Sequence, residues 1–196
     1  MILYITRHGK TDNNREGYPF NGREDVPLNQ EGRLQVYKLS RRLKDSHIDI
    51  IYTSPMKRTM ETAKIINAFH KAKIKKDKRL KEVNFGIFDG KSLGYIKKNH
   101  YEIYKEREKD KFNYIIPEGE SYRHAYQRAK EILGKIRNGD KGNIMVVTHG
   151  TLLKLLLMAI KVYPLEDIEK EYYKPTCLFA FYKDGKTIKW NSWVHL

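Results

Sequence analysis

Two short apolar, β-branched runs, Ile2-Leu-Tyr-Ile-Thr6 and Asn143-Ile-Met-Val-Val-Thr148, stop in the same way, at a histidine followed by glycine. The first ends Arg7-His8-Gly9 and the second His149-Gly150. Runs this short and this apolar read as buried strands breaking into loops. Between them lie other elements in alternation. Asn29 opens a stretch to Leu43 in which Leu34, Val36, Tyr37, Leu39 and Leu43 fall near helical spacing. Asp49 to Thr53 reads as a strand, and Ser54-Pro55 as the start of a helix to about His70, because proline fits a helix's first turn. Buried strands alternating with helices imply an α/β fold: a three-layer α/β/α sandwich on a mostly parallel sheet.

Further along, the glycines and missing periodicity of Leu80 to Gly90 predict a loop. Lys91 to about Tyr114 is a helical insertion, rich in Lys and Tyr, placed to cover a site as a lid. Pro117 to Ser121 punctuates the chain before a helix to about Arg137, and a further apolar helix starts at Leu152. Two final runs, Thr176 to Tyr182 and Thr187 to Trp193, flank Asp184-Gly185, a hairpin-type turn. With 196 residues and no repeat or linker, residues 1–196 read as a single domain.

Composition removes several classes. The longest apolar stretch, Leu152 to Ile160, is about half of a bilayer span and contains Lys154, so no membrane is expected. One cysteine, Cys177, cannot form an internal disulfide, which leaves the cytoplasm as the default compartment. The net charge of +15 is spread along the chain. Its densest run is Lys73 to Arg79, and the alternating charges of Lys105 to Lys111 read as a solvated helix face, so charge is weak evidence and nucleic acid is disfavoured.

Open parallel sheets place ligands beyond the carboxyl ends of their strands, so both histidines are expected to face one crevice. Glycine after each lets backbone approach a ligand closely, and a helix starting after His149 offers free amides to an anion. Arg58, one turn into its helix, adds a guanidinium fork suited to phosphate oxygens. Rival phosphoryl chemistries fail. A Walker loop ending Gly9-Lys10-Thr11 requires glycine where Tyr4 stands, a cysteine phosphatase requires arginine where Lys183 stands, and no two aspartates have Asp-x-Asp spacing. His47, His70, His100, His124 and His195 show no metal-ligand spacing.

Six stretches in order, Arg7 to Asn14, Gly22 to Leu28 with Gly32, Ser54 to Thr59, Leu80 to Gly86, Pro117 to Ser121 and Thr148 to Gly150, resemble the histidine phosphatase superfamily with its phosphoglycerate mutase-like fold. The resemblance implies that His8 is a nucleophile forming a phosphohistidine and that Glu82 is the proton donor. It implies that Arg7, Arg58 and His149 clamp the phosphate, with Asn14 and Gly150 beside it. Asn21 and Gly22 are candidates for the rest of the substrate. On this reading His149 is most useful as a cation, and Glu82 beside a phosphate dianion keeps its proton. Lys10 stands where many relatives carry glutamate, and altered local pairing is the expected effect.

The expected activity is hydrolysis of a small phosphomonoester without metal or cofactor, by a chain that could pair as a homodimer. The alternative is a cofactor-dependent phosphoglycerate mutase using the same pocket. Such mutases usually carry a longer insertion and tail. A basic nucleic-acid-binding or docking module on an inactive scaffold is the remaining class, disfavoured because every pocket residue is present.

Overall fold

A computed structural model describes residues 1–161, 173–184 and 187–194, with backbone alone from 182 onward. Its strands are β1 (Ile2–Arg7), β2 (Ile50–Thr53), β3 (Lys73–Lys76), β4 (Ile144–Thr148), β5 (Leu178–Asp184) and β6 (Thr187–Val194). Its α-helices are α1 (Gln30–Arg42), α2 (Lys57–Asn67), α3 (Leu93–Asn99), α4 (Tyr101–Lys109), α5 (Tyr122–Gly139) and α6 (Gly150–Ala159). The strands form one sheet in the order β3-β2-β4-β1-β5-β6. The first four pair in parallel, β5 pairs antiparallel with β1, and β6 pairs antiparallel with β5. Gly185, in the expected hairpin turn, and His195 lie outside the described residues.

Side chains alternate across each strand, and the two faces build separate cores. Tyr4, Ile51, Met145, Val147 and Leu178 pack with Val36, Leu39, Ala63 and Ile66 of α1 and α2. Leu3, Ile5, Tyr52, Ile144, Val146 and Phe179 pack with Ala129, Ile132, Leu152 and Leu156 of α5 and α6. The three-layer α/β/α sandwich is therefore present, with α3 and α4 as the helical insertion. No helix among the described residues is long and apolar enough to cross a membrane.

The sequence reading needs three corrections here. The basic run at Lys73 is the parallel edge strand β3, with Ile74 against the α1/α2 core and Lys75 ion-paired to Asp140. Exposed Lys73 and Lys76 keep a bare edge from pairing with other chains. In α1, Leu34 and Tyr37 are 54% and 51% exposed, so the buried stripe is only Val36, Leu39 and Leu43. Finally, α2 begins at Lys57 behind the N-cap Met56, leaving Pro55 outside the helix. Asp25 takes over the helix start by accepting from the Lys57 N–H at 2.6 Å.

Residues 81–85 carry no helix or strand, and the turn after them fixes their path. Gly86 adopts φ +53° against the 117–119 backbone, where a Cβ would lie 1.9 Å from the Pro117 carbonyl oxygen. Gly86→Ala should therefore lower stability by more than about 1 kcal/mol in urea unfolding. An unchanged midpoint would show that this turn relaxes freely.

Candidate active site

β1 and β4 pair in parallel register with Arg7 opposite Thr148, so the residues that follow are level. The His8 N–H donates to the Thr148 carbonyl at 3.0 Å, and the His8 and His149 rings sit edge to face with centroids 5.2 Å apart. His8 Nδ1 lies 2.7 Å from the Gly9 carbonyl oxygen. A carbonyl only accepts, so Nδ1 carries the proton and Nε2 presents a lone pair. Burial, then the charges of Arg58 and Arg7, hold His8 well below the ordinary histidine value of 6.5. Gly9 itself serves packing: a Cβ there would lie 2.6 Å from the Gly32 carbonyl oxygen, so glycine lets α1 close on this loop.

Arg58 reaches the site from the first turn of α2. Its Nη1 and Nη2 donate to the carbonyls of Glu24 (2.7 Å) and Gly22 (2.9 Å), and its Nε donates to His149 Nδ1 (3.2 Å). That last bond fixes the His149 tautomer, with the proton on Nε2. His149 Nε2 is buried without a partner among the described residues. Burial, then Arg58 and His8, hold this ring too well below 6.5. In the phosphate-free protein His149 is thus a neutral donor; the cation expected of it concerns phosphoryl transfer, with phosphate present.

Glu82 is buried and accepts three backbone N–H groups, from Val83 and Leu152 on Oε1 and from Thr151 on Oε2, each at 2.9 Å. The α6 amides of Thr151 and Leu152, expected to be open to an anion, are therefore occupied by this carboxylate. Asn14 accepts from the Thr11 N–H and hydroxyl through Oδ1, which leaves its amide nitrogen to donate. Arg7 donates to the Tyr173 carbonyl at 2.6 Å, and Gly150 lies alongside its guanidinium.

These groups meet at a cavity of about 780 Å³, walled by Arg7, His8, Asn14, Arg58, Glu82 and Gly150. His149 is beside His8 but not on that wall. Asn21 lines the cavity, yet its amide is bonded to the Asn13 and Tyr18 carbonyls. Gly22 is off the wall: its N–H donates to Asp89 and its carbonyl holds Arg58, so it supports the site from behind. Lys10 pairs with Glu31 at 2.6 Å.

The outer wall comes from the helical insertion expected to cover the site, but the sequence reading misjudged one of its residues. Arg107, placed on a solvated face by its alternating charges, is buried, stacks over Phe20 and Tyr122, and donates to the Tyr122 hydroxyl at 2.8 Å. Tyr104, Arg107 and Lys111 all line the cavity, and their three- and four-residue spacing was the available signal. Among the described residues no group of three or more His, Cys, Asp or Glu side chains could hold a metal ion.

The histidine phosphatase superfamily (branch 1) model matches residues 3–195. The chain belongs to this superfamily. Phosphoglycerate mutase-like protein 4 of Arabidopsis thaliana is 35% identical over 158 residues, 79% of this chain and 68% of that protein. The solved structure of YhfR from Bacillus stearothermophilus is 32% identical with a TM-score of 0.86, covering 96% of this chain and 94% of that one. An alpha-ribazole phosphatase from Shigella flexneri, 24% identical, shares the fold with a TM-score of 0.88 over 98% of this chain and 96% of its own.

Two buried neutral histidines couple stability to pH. Their folded values lie below their unfolded ones, so their contribution is complete above about pH 6.5 and is lost as the pH falls towards the folded values. Each contributes a slope of up to about 1.4 kcal/mol per pH unit in that window. The melting temperature should therefore drop below pH 6.5, and His149→Asn should drop less steeply. Equal slopes for the two proteins would contradict this assignment.

Proposed function

We propose that the protein is a metal-independent phosphomonoesterase, hydrolysing a small phosphorylated metabolite through a phosphohistidine on His8. The observation that carries this reading is the state of His8: its Nδ1–H is held by Gly9, its Nε2 lone pair is kept unprotonated, and two guanidinium groups share its cavity. In this mechanism Nε2 attacks phosphorus, a nitrogen–phosphorus bond forms and the bond to the leaving oxygen breaks. Arg7, Arg58 and the Asn14 amide hold the non-bridging oxygens, and His149 Nε2–H gains its missing acceptor from the phosphoryl group. The dianion favours an imidazolium, but a cationic His149 has no acceptor nitrogen and would have to give up the bond from Arg58 Nε.

Glu82 supplies the proton that the leaving oxygen needs. Oε1 spends both lone pairs on Val83 and Leu152, whereas Oε2 spends one on Thr151. The second lone pair of Oε2 is the site for that proton. In the second half-reaction the carboxylate takes a proton from water as the water oxygen attacks phosphorus, releasing inorganic phosphate and free His8. The outer wall of Tyr104, Arg107 and Lys111 suits an alcohol moiety larger than the phosphate itself.

Radiolabelled phosphomonoester, quenched during turnover in excess chelator, should leave an acid-labile, base-stable adduct on the wild type and none on His8→Ala. Label on both proteins would sink the nucleophile assignment. Label passed to an added phosphoglycerate instead of water would mark a mutase. Arg58→Lys should lose about 10²–10³ in kcat/KM, because one ammonium cannot copy a fork that also bonds Gly22, Glu24 and His149.

A further inference from the structure

Glu82 lies in a segment without secondary structure, yet its backbone is held by one side chain of α5. Arg128 donates through Nη1 to the carbonyls of Arg79 (2.5 Å) and Lys81 (2.6 Å), and through Nη2 to the carbonyl of Glu82 itself (3.2 Å). The remaining donors go to Glu120, from Nη2 to Oε1 at 2.8 Å and from Nε to Oε2 at 3.1 Å. All five N–H groups of the guanidinium are used. Glu120 extends the grip, accepting the Asn84 N–H at 2.8 Å and Arg23 Nη2 at 3.1 Å.

Glu82 is thus held at two ends by two helices. α6 caps its carboxylate through Thr151 and Leu152, and α5 fixes its backbone through Arg128. We infer that Arg128 is a positioning residue for the proton-donation step, setting how far the Glu82 carboxyl reaches towards the leaving oxygen. This rests on the reading of Glu82 as proton donor. Without Arg128, three carbonyls in four residues lose their partner and the backbone behind Glu82 is free to shift. The capped carboxylate stays in place only as well as that backbone allows. Displacements of about 1 Å cost about 10²-fold in comparable sites. Lysine is a poor substitute, because three donors on one nitrogen cannot span three carbonyls and a carboxylate.

The test compares an alkyl ester, phosphoserine, with an aryl ester, nitrophenyl phosphate. An alkoxide needs its proton during departure and a nitrophenolate does not, so damage to proton donation shows as a rise in the aryl-to-alkyl ratio of kcat/KM. Wild type, Glu82→Gln, Arg128→Gln and Arg128→Lys are measured with both esters, together with inhibition by inorganic phosphate as a gauge of the anion pocket. Arg128→Gln should lose about 10–10² in kcat for phosphoserine, distinctly less for nitrophenyl phosphate, with phosphate inhibition near wild type. Arg128→Lys should not restore the ratio. Where Arg128→Gln fails to fold, Glu120→Gln, which weakens the same clamp, should raise the ratio to a smaller degree.

If Glu82→Gln raises the ratio and the folded clamp variants leave it unchanged, the positioning role is overturned and the proton-donor reading stands. If Glu82→Gln leaves the ratio unchanged, the proton-donor reading fails and takes the positioning role with it.

Discussion

The parallel pairing of β1 with β4, in a register that sets Arg7 opposite Thr148, is the contact on which the rest of the site depends. Because side chains alternate along a strand, a slip of one residue would turn Ile5 and Val146 to the wrong core and carry His8 away from His149. The two buried cores therefore enforce the register that the chemistry needs. They do so with residues that never touch the cavity, such as Ile5, Val146 and Val147, all wholly buried.

Electrostatically the site is cationic. Arg7 and Arg58 both line the cavity; Arg7 donates to the Tyr173 carbonyl, and Arg58 donates to two backbone carbonyls and an imidazole. Burial first, and then these guanidinium charges, suppress protonation of the neighbouring histidines. Glu82 is the nearest acid in a structural sense, but its oxygens are turned to backbone amides. A bound dianion would add its negative charge beside these guanidinium groups, which is how one arrangement favours both an unprotonated nucleophile and an anionic substrate.

The parts of this arrangement legible in sequence are those set by local pattern. Strands β1 and β4, the cap Asn29 on α1 and the turn at Pro117 follow from apolar runs, spacing and turn chemistry, and Asn29 does accept from the Gly32 N–H at 2.8 Å. What sequence hid was set by partners far away in the chain. Lys73 to Lys76 became a strand because β2 offered an edge, not because four residues with three lysines favour one. Arg107 was buried by Phe20 and Tyr122, and the His149 tautomer was chosen by Arg58. Gly22, a candidate for the rest of the substrate, turns its carbonyl to the Arg58 guanidinium, 36 residues away in the chain. The α6 amides looked open because nothing near Gly150 in sequence is acidic; Glu82 comes from almost 70 residues away, a separation recorded in its contact with Thr151.

The two cores also divide the work between the layers of the sandwich. Arg58 rides on α2, whose buried face packs into the α1/α2 core, so the phosphate clamp is referenced to that layer. Glu82 is tied to α5 through Arg128 and to α6 through Thr151 and Leu152, so the proton is referenced to the opposite layer. His8 and His149 lie at the ends of the strands between them. Strain that stays within one core would then act mainly on one function: loosening beneath α2 on anion affinity, loosening between α5 and α6 on departure of poor leaving groups. Tightly packed central strands, β4 wholly buried and β1 nearly so, are stiff enough to keep those two effects apart, since close-packed cores resist small, continuous deformation.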